Sequence, residues 1–153
     1  MDVKDPAAAD LARIPLLAGL PDEARQVLSE RFEIEDFGAG QRLVTEGRSG
    51  YAFYVLDRGH ASVAHEGHEV RRLGPGDFFG EIAILGAGRR TATVTATEPG
   101  TMWTLFGTSF RMLEADRPEV ASALQDAMTE RLAADRDDTS DTSQRFRTSA
   151  DAD

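Results

Sequence analysis

Several features that define large classes of protein are missing from this chain. It contains no cysteine, which excludes a disulfide framework, a thiolate metal site and a cysteine nucleophile. Long apolar runs are missing too: Ile14–Leu20 contains Pro15 and Gly19 and is far shorter than the roughly 20 residues of a membrane helix. The acidic start, with Asp2 and Asp5, lacks the basic region of a signal peptide. We therefore expect a cytoplasmic protein that does not enter a membrane.

Positive charge is also scarce. The 17 Lys and Arg residues are outnumbered by 27 Asp and Glu residues, so the formal net charge is -10. A protein of this charge repels nucleic acid phosphates and anionic lipid unless basic residues are clustered locally. The sequence shows no such cluster, and we expect no nucleic acid partner.

The 153 residues suit one globular domain, with 41% hydrophobic and 29% charged residues. We expect an N-terminal lead at residues 1–15, a folded domain at 16–134 and a disordered acidic tail at 135–153. Within the folded domain, a barrel is expected at about 33–107 and closing helices at about 108–134.

Apolar spacing predicts two kinds of structure along the domain. Pro21 suits the first position of a helix, after which apolar residues recur at helical spacing. After Phe32 the period changes to two, and Glu66-Gly67 is typical of a tight hairpin turn. Trp103 falls on a predicted strand and is expected in the core. The strands that we predict are Phe53–Leu56, Ala61–Ala64, Val70–Leu73, Thr91–Ala96 and Thr101–Phe106.

Helical signals return after the strands. Thr108 suits an N-cap, and a last helix is predicted over Pro118–Leu132, where apolar residues recur every four positions. Beyond this helix, Phe146 is the only large apolar side chain. The tail therefore has too little apolar surface to compensate the entropy of ordering it.

One segment, Gly74–Val94, departs from simple strand alternation. A short helical turn is expected from Gly80, and Arg90 follows Glu81 by nine residues. Free amides at the start of such a turn form an anion site, and an arginine supplies a planar fork for phosphate oxygens. A carboxylate at that place would repel the phosphate unless it accepts hydrogen bonds from hydroxyls, such as those of a ribose. These residue types indicate a small sugar phosphate held inside a β barrel.

The segments Phe79–Ile84 and Arg90–Val94 resemble the phosphate-binding cassette of cyclic nucleotide-binding domains of the CRP and protein kinase A regulatory-subunit type. The resemblance covers Leu16–Leu132. It implies a mainly β fold, in which an eight-stranded antiparallel jelly-roll barrel is flanked by N-terminal and C-terminal helices. It also implies a stand-alone regulatory domain that is not an enzyme, binds cAMP or cGMP, and acts on an unknown protein effector.

The resemblance carries over to the cassette residue by residue. It implies that Glu81 accepts the ribose 2′-hydroxyl, that Arg90 pairs with the exocyclic phosphate oxygens, and that Gly80 and Ala83 offer backbone amides. The implied ligand-binding set is Gly80, Glu81, Ile82, Ala83, Arg90, Thr91 and Ala92. The implied apolar wall is Val70, Leu73, Phe79, Ile82 and Ala92.

In such domains the last helix covers the base as a lid, and a homodimer through this helix is a further expectation. The helix carries no aromatic residue, so the aromatic base cap of some relatives is missing here. Thr91 and Arg71 suit a guanine by the resemblance, yet Thr at this position also occurs in relatives that respond to cAMP. We expect both nucleotides to bind and favour cAMP. The lid candidates are Leu124, Gln125, Met128 and Thr129, and the expected base contacts are Arg71, Leu124 and Met128.

Other interpretations compete with nucleotide binding. Glu81 and Arg90 would also suit a simple ion pair between two loops. A barrel of the same fold that has stopped binding nucleotide would serve as an interaction or targeting module, although the intact Glu81 and Arg90 argue against it. His60, His65 and His68 are similar to the clustered ligands of cupin-like metalloenzymes, but the later histidine of such sites is absent. We therefore expect no metal and no cofactor.

Overall fold

The computed structural model describes residues 5–44, 52–85 and 92–138, with only the backbone described for Ile82 and for 135–138. The described helices are α1 (Ala8–Leu11), α2 (Pro15–Ala18), α3 (Asp22–Ser29), α4 (Ile82–Leu85), α5 (Gly107–Asp116) and α6 (Pro118–Asp138). The described strands are β1 (Glu33–Phe37), β2 (Arg42–Val44), β3 (Ala52–Arg58), β4 (Ala61–His65), β5 (His68–Leu73), β6 (Phe78–Phe79), β7 (Thr93–Ala96) and β8 (Gly100–Phe106).

The eight strands form two antiparallel sheets of four strands each. The first sheet has the order β1-β8-β3-β6, and the second has the order β2-β7-β4-β5. Both sheets contribute side chains to one shared apolar core, including Leu56 and Met102 from the first and Leu73 and Val94 from the second. The mainly β antiparallel architecture expected from the resemblance is confirmed.

A second core lies between the first sheet and the helices. Trp103 is 1% exposed and packs there near Phe32, with ring centroids 6.2 Å apart. Its neighbour on β8, Met102, belongs instead to the core between the sheets. Strand β8 is therefore buried on both faces, because successive side chains point to opposite sides of a strand. The prediction that Trp103 is a core residue is confirmed.

The hairpin between β4 and β5 turns at Glu66 and Gly67, which have φ angles of 51° and 83°. His65 pairs with His68 across this turn. Two consecutive left-handed residues define the type I′ turn, whose twist matches that of the flanking strands. The predicted hairpin is confirmed.

Three predicted helix boundaries are wrong. Helix α5 begins at Gly107, with Phe106 at the N-cap and Thr108 inside the first turn, because β8 runs directly into the helix. Pro21 is the N-cap of α3 rather than its first residue. Helix α6 continues through Asp138, four residues past the predicted boundary at 134, and residues 139–153 lie outside the described residues. Among the described helices, none is both long and apolar enough to cross a membrane.

Candidate functional site

A cavity of about 90 Å³ lies where the second sheet, the β6–α4 connection and the C-terminal part of α6 meet. Its walls combine apolar strand residues with charged groups at the edge. The lining residues are Leu16, Val44, Val63, Arg71, Leu73, Gly76, Asp77, Phe78, Phe79, Gly80, Glu81, Ala92, Val94, Arg131 and Leu132.

The turn before β6 fixes one wall of this cavity. The amide of Gly74 donates to Asp77 Oδ2 at 2.8 Å, and the amide of Asp77 donates back to the main-chain oxygen of Gly74 at 3.0 Å. Gly76 donates to the main-chain oxygen of Leu56 at 2.7 Å, and Leu56 donates to that of Asp77 at 2.8 Å. These bonds anchor the turn to β3, so that the following residues reach the cavity in a fixed position.

Gly80 bends the chain from β6 into α4. Its φ of 81° lies in the left-handed region, which glycine occupies without the penalty that other residues incur. Gly80 and Glu81 both line the cavity. The amide of Ala83 donates to the main-chain oxygen of Gly80 at 3.1 Å, and Ala83 does not line the cavity. In this structure the amide of Ala83 has a partner within the turn, and its role as a donor to a ligand stays a prediction.

Glu81 is a buried carboxyl group on the cavity wall, only 8% exposed. A buried carboxylate needs hydrogen bonds, because losing water costs several kcal/mol. Such a group is a strong acceptor for hydroxyl donors. The other two cassette residues with assigned roles, Arg90 and Thr91, lie outside the described residues, whereas Ala92 lines the cavity as expected.

Strand β5 contributes the cationic edge of the cavity. The pairing of β5 with β4 shifts register between Val63 and Ala64, and beyond the shift Arg71 and Leu73 both face the cavity. Arg71 is exposed, while Leu73 is fully buried. Val70, expected in the wall, does not line the cavity; it is half-buried and packs against the core between the sheets. Val70 is the extra residue at the register shift, where simple alternation does not hold, and its place in the nucleotide-binding wall stays a prediction.

Helix α6 meets the cavity at a different place from the one expected. Leu124 and Met128 are fully buried in the core between the helices and the first sheet, and neither lines the cavity. That face of α6 packs on the other helices, and the assignment of these two residues as base contacts stays a prediction. Arg131 and Leu132 line the cavity instead. The other two lid candidates are also outside the wall: Gln125 donates to a main-chain oxygen of α4, and Thr129 is exposed.

Part of the wall was not predicted from the sequence. Val63 on β4 and Val94 on β7 line the cavity, and each is flanked by less buried strand residues. Their strict alternation was a usable signal for inward-facing side chains. Arg131 carried no such signal, because an exposed arginine near the end of a helix is ordinary. Ile82 belongs to α4, and its side chain is not described.

The histidines considered as metal ligands lie apart from the cavity wall. His60 Nδ1 is 3.1 Å from Glu98 Oε2 on the surface, and His65 Nε2 is 3.7 Å from Glu66 Oε2 at the hairpin. His68 is exposed on the opposite side of that turn. Over the described part of the chain, no three His, Asp or Glu side chains are grouped so as to hold a metal ion.

Comparison with known sequences places this arrangement in a family. The family model described as the cyclic nucleotide-binding domain matches residues 34–117. The chain is 39% identical over 104 residues to a cAMP-dependent protein kinase regulatory subunit of Eremothecium gossypii, which covers 67% of this chain and 23% of that protein. It is also 39% identical over 88 residues to a cGMP-dependent protein kinase of Toxoplasma gondii, which covers 58% of this chain and 9% of the relative. The chain thus spans about a quarter or less of the length of these relatives.

Solved structures agree with the sequence comparison. The N-terminal domain of a transcriptional regulator from Streptomyces coelicolor is 30% identical, with a TM-score of 0.70 over 84% of this chain and 95% of that one. A putative cyclic nucleotide-binding protein from Geobacter metallireducens shares the fold, with a TM-score of 0.75 at 19% identity over 84% of this chain and 97% of that one. The region that matches the family model includes both sheets and the turn that carries Glu81. The chain therefore belongs to the cyclic nucleotide-binding domain family.

Proposed function

We propose that this chain is a sensor that binds cAMP or cGMP in the cavity bordered by Glu81, and that it regulates a protein partner through α6. The buried carboxyl group of Glu81 on the cavity wall is the observation that carries the proposal. A carboxylate on the cavity wall accepts hydrogen bonds from ligand hydroxyl groups, and a ribose 2′-hydroxyl is such a donor. The proposal consists of ligand binding and regulation and includes no catalytic step.

The phosphate and the base of a cyclic nucleotide are assigned to residues other than Glu81. The proposal assigns the phosphate to Arg90, whose guanidinium presents paired donors to phosphate oxygens. It assigns the sugar to Glu81, beside the left-handed Gly80. It assigns the base to the edge formed by Arg71, Arg131 and Leu132, which all line the cavity.

Helix α6 is the element that would report the bound state. It borders the cavity through Arg131 and Leu132, and it is hydrogen-bonded to α4 through Gln125. A ligand shifts such an element only by contacting it differently in two conformations. A protein effector that contacts α6 would respond to that shift. A second copy of this chain is one candidate for that effector.

Isothermal titration with cAMP and cGMP tests the proposal directly. We expect binding to the wild-type chain, a loss of about 1.5–3 kcal/mol or more in Arg90→Ala, and unchanged affinity in Arg89→Ala. Arg89 is the matched control, because it is the adjacent arginine and the family resemblance assigns the phosphate contact to Arg90. If the wild-type chain binds neither nucleotide, the chain is an interaction module of the same fold. If Arg90→Ala binds like wild type, the phosphate site is elsewhere.

A further inference from the structure

A groove of about 480 Å³ separates the segment 15–21 from α6. Its apolar surfaces come from Leu16 and Leu20 on one side and from Ala123 and Ala127 on the other. The two leucines are buried, and the two alanines are half-buried. Because alanine side chains are short, α6 leaves an apolar hollow there that the described residues do not fill.

The rim of this groove carries two exposed carboxylates, Asp126 and Glu130, and one exposed arginine, Arg131, so its net charge is negative. They are four residues apart on α6, so their β carbons lie about 5–6 Å apart on the same helix face. Like charges at this spacing destabilise a helix, and a cation between them removes the repulsion. The groove thus combines an apolar floor with a rim that attracts positive charge.

The chain itself contains a segment with the complementary chemistry. Phe146, the only large apolar side chain beyond α6, is flanked by Arg145 and Arg147. The eight residues at 142–149 contain these two arginines and no carboxylate, although the chain as a whole is acidic. A phenyl ring with a cation on each side matches an apolar hollow with a carboxylate rim.

We propose that Arg145–Arg147 binds in this groove of the same chain, with Phe146 in the hollow and the two arginines on Asp126 and Glu130. A cavity of about 150 Å³ holds a benzene ring, so the groove has room for the phenyl group and for adjoining chain.

The covalent connection is long enough for this contact. Phe146 lies eight positions after Asp138, the last residue of α6, and a flexible chain of that length spans about 14–17 Å on average. The distance back along α6 from Asp138 to Glu130 or Asp126 is about 12–18 Å at 1.5 Å per residue. At such a match the effective concentration reaches the millimolar range, so even a weak contact is populated.

The groove and the candidate nucleotide cavity share two wall residues, Leu16 and Arg131. A tail bound in the groove therefore contacts residues that also border the cavity. The contact itself does not depend on the proposed function, and its test is done without nucleotide.

The absence of cysteine makes a direct test simple. A nitroxide on Ser149→Cys, in the full chain and without nucleotide, reports which nuclei approach the tail. We expect the strongest paramagnetic broadening at the amides of Ala123 and Ala127 and at the methyl groups of Leu16 and Leu20. Broadening that is spread evenly over the surface would overturn the proposal.

Charge reversal separates this contact from chance proximity. We expect Arg145→Glu with Arg147→Glu to reduce the broadening at the groove to background, and Asp126→Arg with Glu130→Arg in the same chain to restore it. Glu30→Arg with Glu114→Arg is the matched control, because both residues are exposed elsewhere, and it should restore nothing. Persistence of the broadening after the reversal in the tail would contradict the proposal.

Two further measurements complete the test. Phe146→Ala, in which both arginines remain, should also remove the broadening if the ring provides the apolar anchor.

Mixing a spin-labelled chain with an unlabelled, isotope-enriched chain distinguishes a contact within one molecule from a contact with a second copy. Broadening that appears only between chains would assign the groove to a partner copy and overturn the intramolecular contact.

Discussion

Gln125 of α6 donates a hydrogen bond from Nε2 to the main-chain oxygen of Ile84 at 3.1 Å. Ile84 belongs to the four-residue helix α4, which begins directly after Glu81. The carbonyl groups in the last turn of a helix have no partner within the helix, and Gln125 supplies one for Ile84. The closing helix is therefore tied to the short turn that carries the buried carboxyl group.

Gln125→Leu removes this donor and nearly preserves the side-chain volume. We expect a loss of about 1 kcal/mol in the free energy of unfolding, because the Ile84 carbonyl group then lacks its partner. Urea unfolding measures it. Gln26→Leu is the matched control, since Gln26 is exposed and lies 3.4 Å from Glu30 in a single surface hydrogen bond. Equal losses in the two variants would contradict a specific role for Gln125.

Glu81→Gln tests the assignment of the ribose. The substitution keeps the shape and removes the charge, so it weakens acceptance of a hydroxyl hydrogen bond by about 1–3 kcal/mol. We expect a smaller loss of cyclic nucleotide affinity than in Arg90→Ala, which removes the phosphate partner.

A 2′-deoxy cyclic nucleotide provides the control for that experiment. It lacks the hydroxyl group, so the wild-type chain and Glu81→Gln should bind it about equally. Titration of both proteins with both ligands completes the cycle. A difference that persists with the deoxy ligand would show that Glu81 acts on something other than the 2′-hydroxyl group.

Much of the fold was accessible from the sequence for local reasons. The Glu66-Gly67 turn was found from Gly67, because glycine occupies the left-handed region without penalty, and Glu66 adopts the same region at a φ of 51°. The buried position of Trp103 was expected because it is a large aromatic residue on a predicted strand, and the structure buries both faces of that strand. The turn at Gly80 and Glu81 was found because a spaced motif resembles a known cassette, and the cavity does include both residues.

The part of the site on α6 was not accessible in this way. Spacing identifies the apolar face that contains Leu124 and Met128, but it does not say which turn of the helix passes the cavity. That depends on where α6 lies relative to the sheets, which its packing against α2, α3 and α5 decides. The cavity therefore receives Arg131 and Leu132, whereas Leu124 and Met128 pack in the core.

Arg117 joins α3 to the first turn of α6, and its contribution should depend on pH. It donates to Glu23 Oε2 at 2.8 Å and to Glu119 Oε2 at 2.7 Å. The hydrogen bond from Arg117 holds the pKa of Glu119 below its usual value. The stabilisation is thus complete above the ordinary glutamate pKa and is lost as the pH falls through the lowered folded-state pKa.

Urea unfolding of wild type and Arg117→Gln over a range of pH checks this dependence. We expect the stability difference to be modest at neutral pH, since the pair is exposed to solvent, and to vanish in acid. Arg111→Gln is the control, an exposed arginine on α5. A difference that stays constant with pH would assign the effect to packing of the arginine stem rather than to its charge.

Gly100 occupies a position where no side chain fits. A β carbon there would overlap the main-chain oxygen of Arg58 and lie 2.7 Å from Cζ of Phe37. Since the obstacle is backbone, relief requires the strands to move apart. We expect Gly100→Ala to cost about 1–3 kcal/mol of stability or more, measured by thermal or urea unfolding. Gly38→Ala is the control, because a β carbon there meets nothing within 4 Å; a similar cost in both would contradict the steric argument.

The choice between cAMP and cGMP depends on Thr91, which lies outside the described residues, and on Arg71, which lines the cavity. By the family resemblance, a threonine after the phosphate-binding arginine contacts either the 2-amino group of a syn guanine or the phosphate itself. The guanidinium of Arg71 suits the O6 and N7 acceptors of a guanine, so both nucleotides should bind. We favour cAMP, and with it the phosphate contact of Thr91.

On that basis Thr91→Ala should weaken the binding of cAMP and of cGMP equally, by about 1 kcal/mol each. The control Thr95→Ala should leave both affinities unchanged. Cyclic inosine monophosphate sharpens the comparison, because it keeps the O6 and N7 edge of guanine and lacks the 2-amino group. Titration of wild type should then give similar Kd values for the inosine and guanosine ligands, since nothing reads the amino group. A loss confined to cGMP in Thr91→Ala, together with weaker binding of the inosine ligand by wild type, would place the threonine hydroxyl on the guanine and reverse the preference.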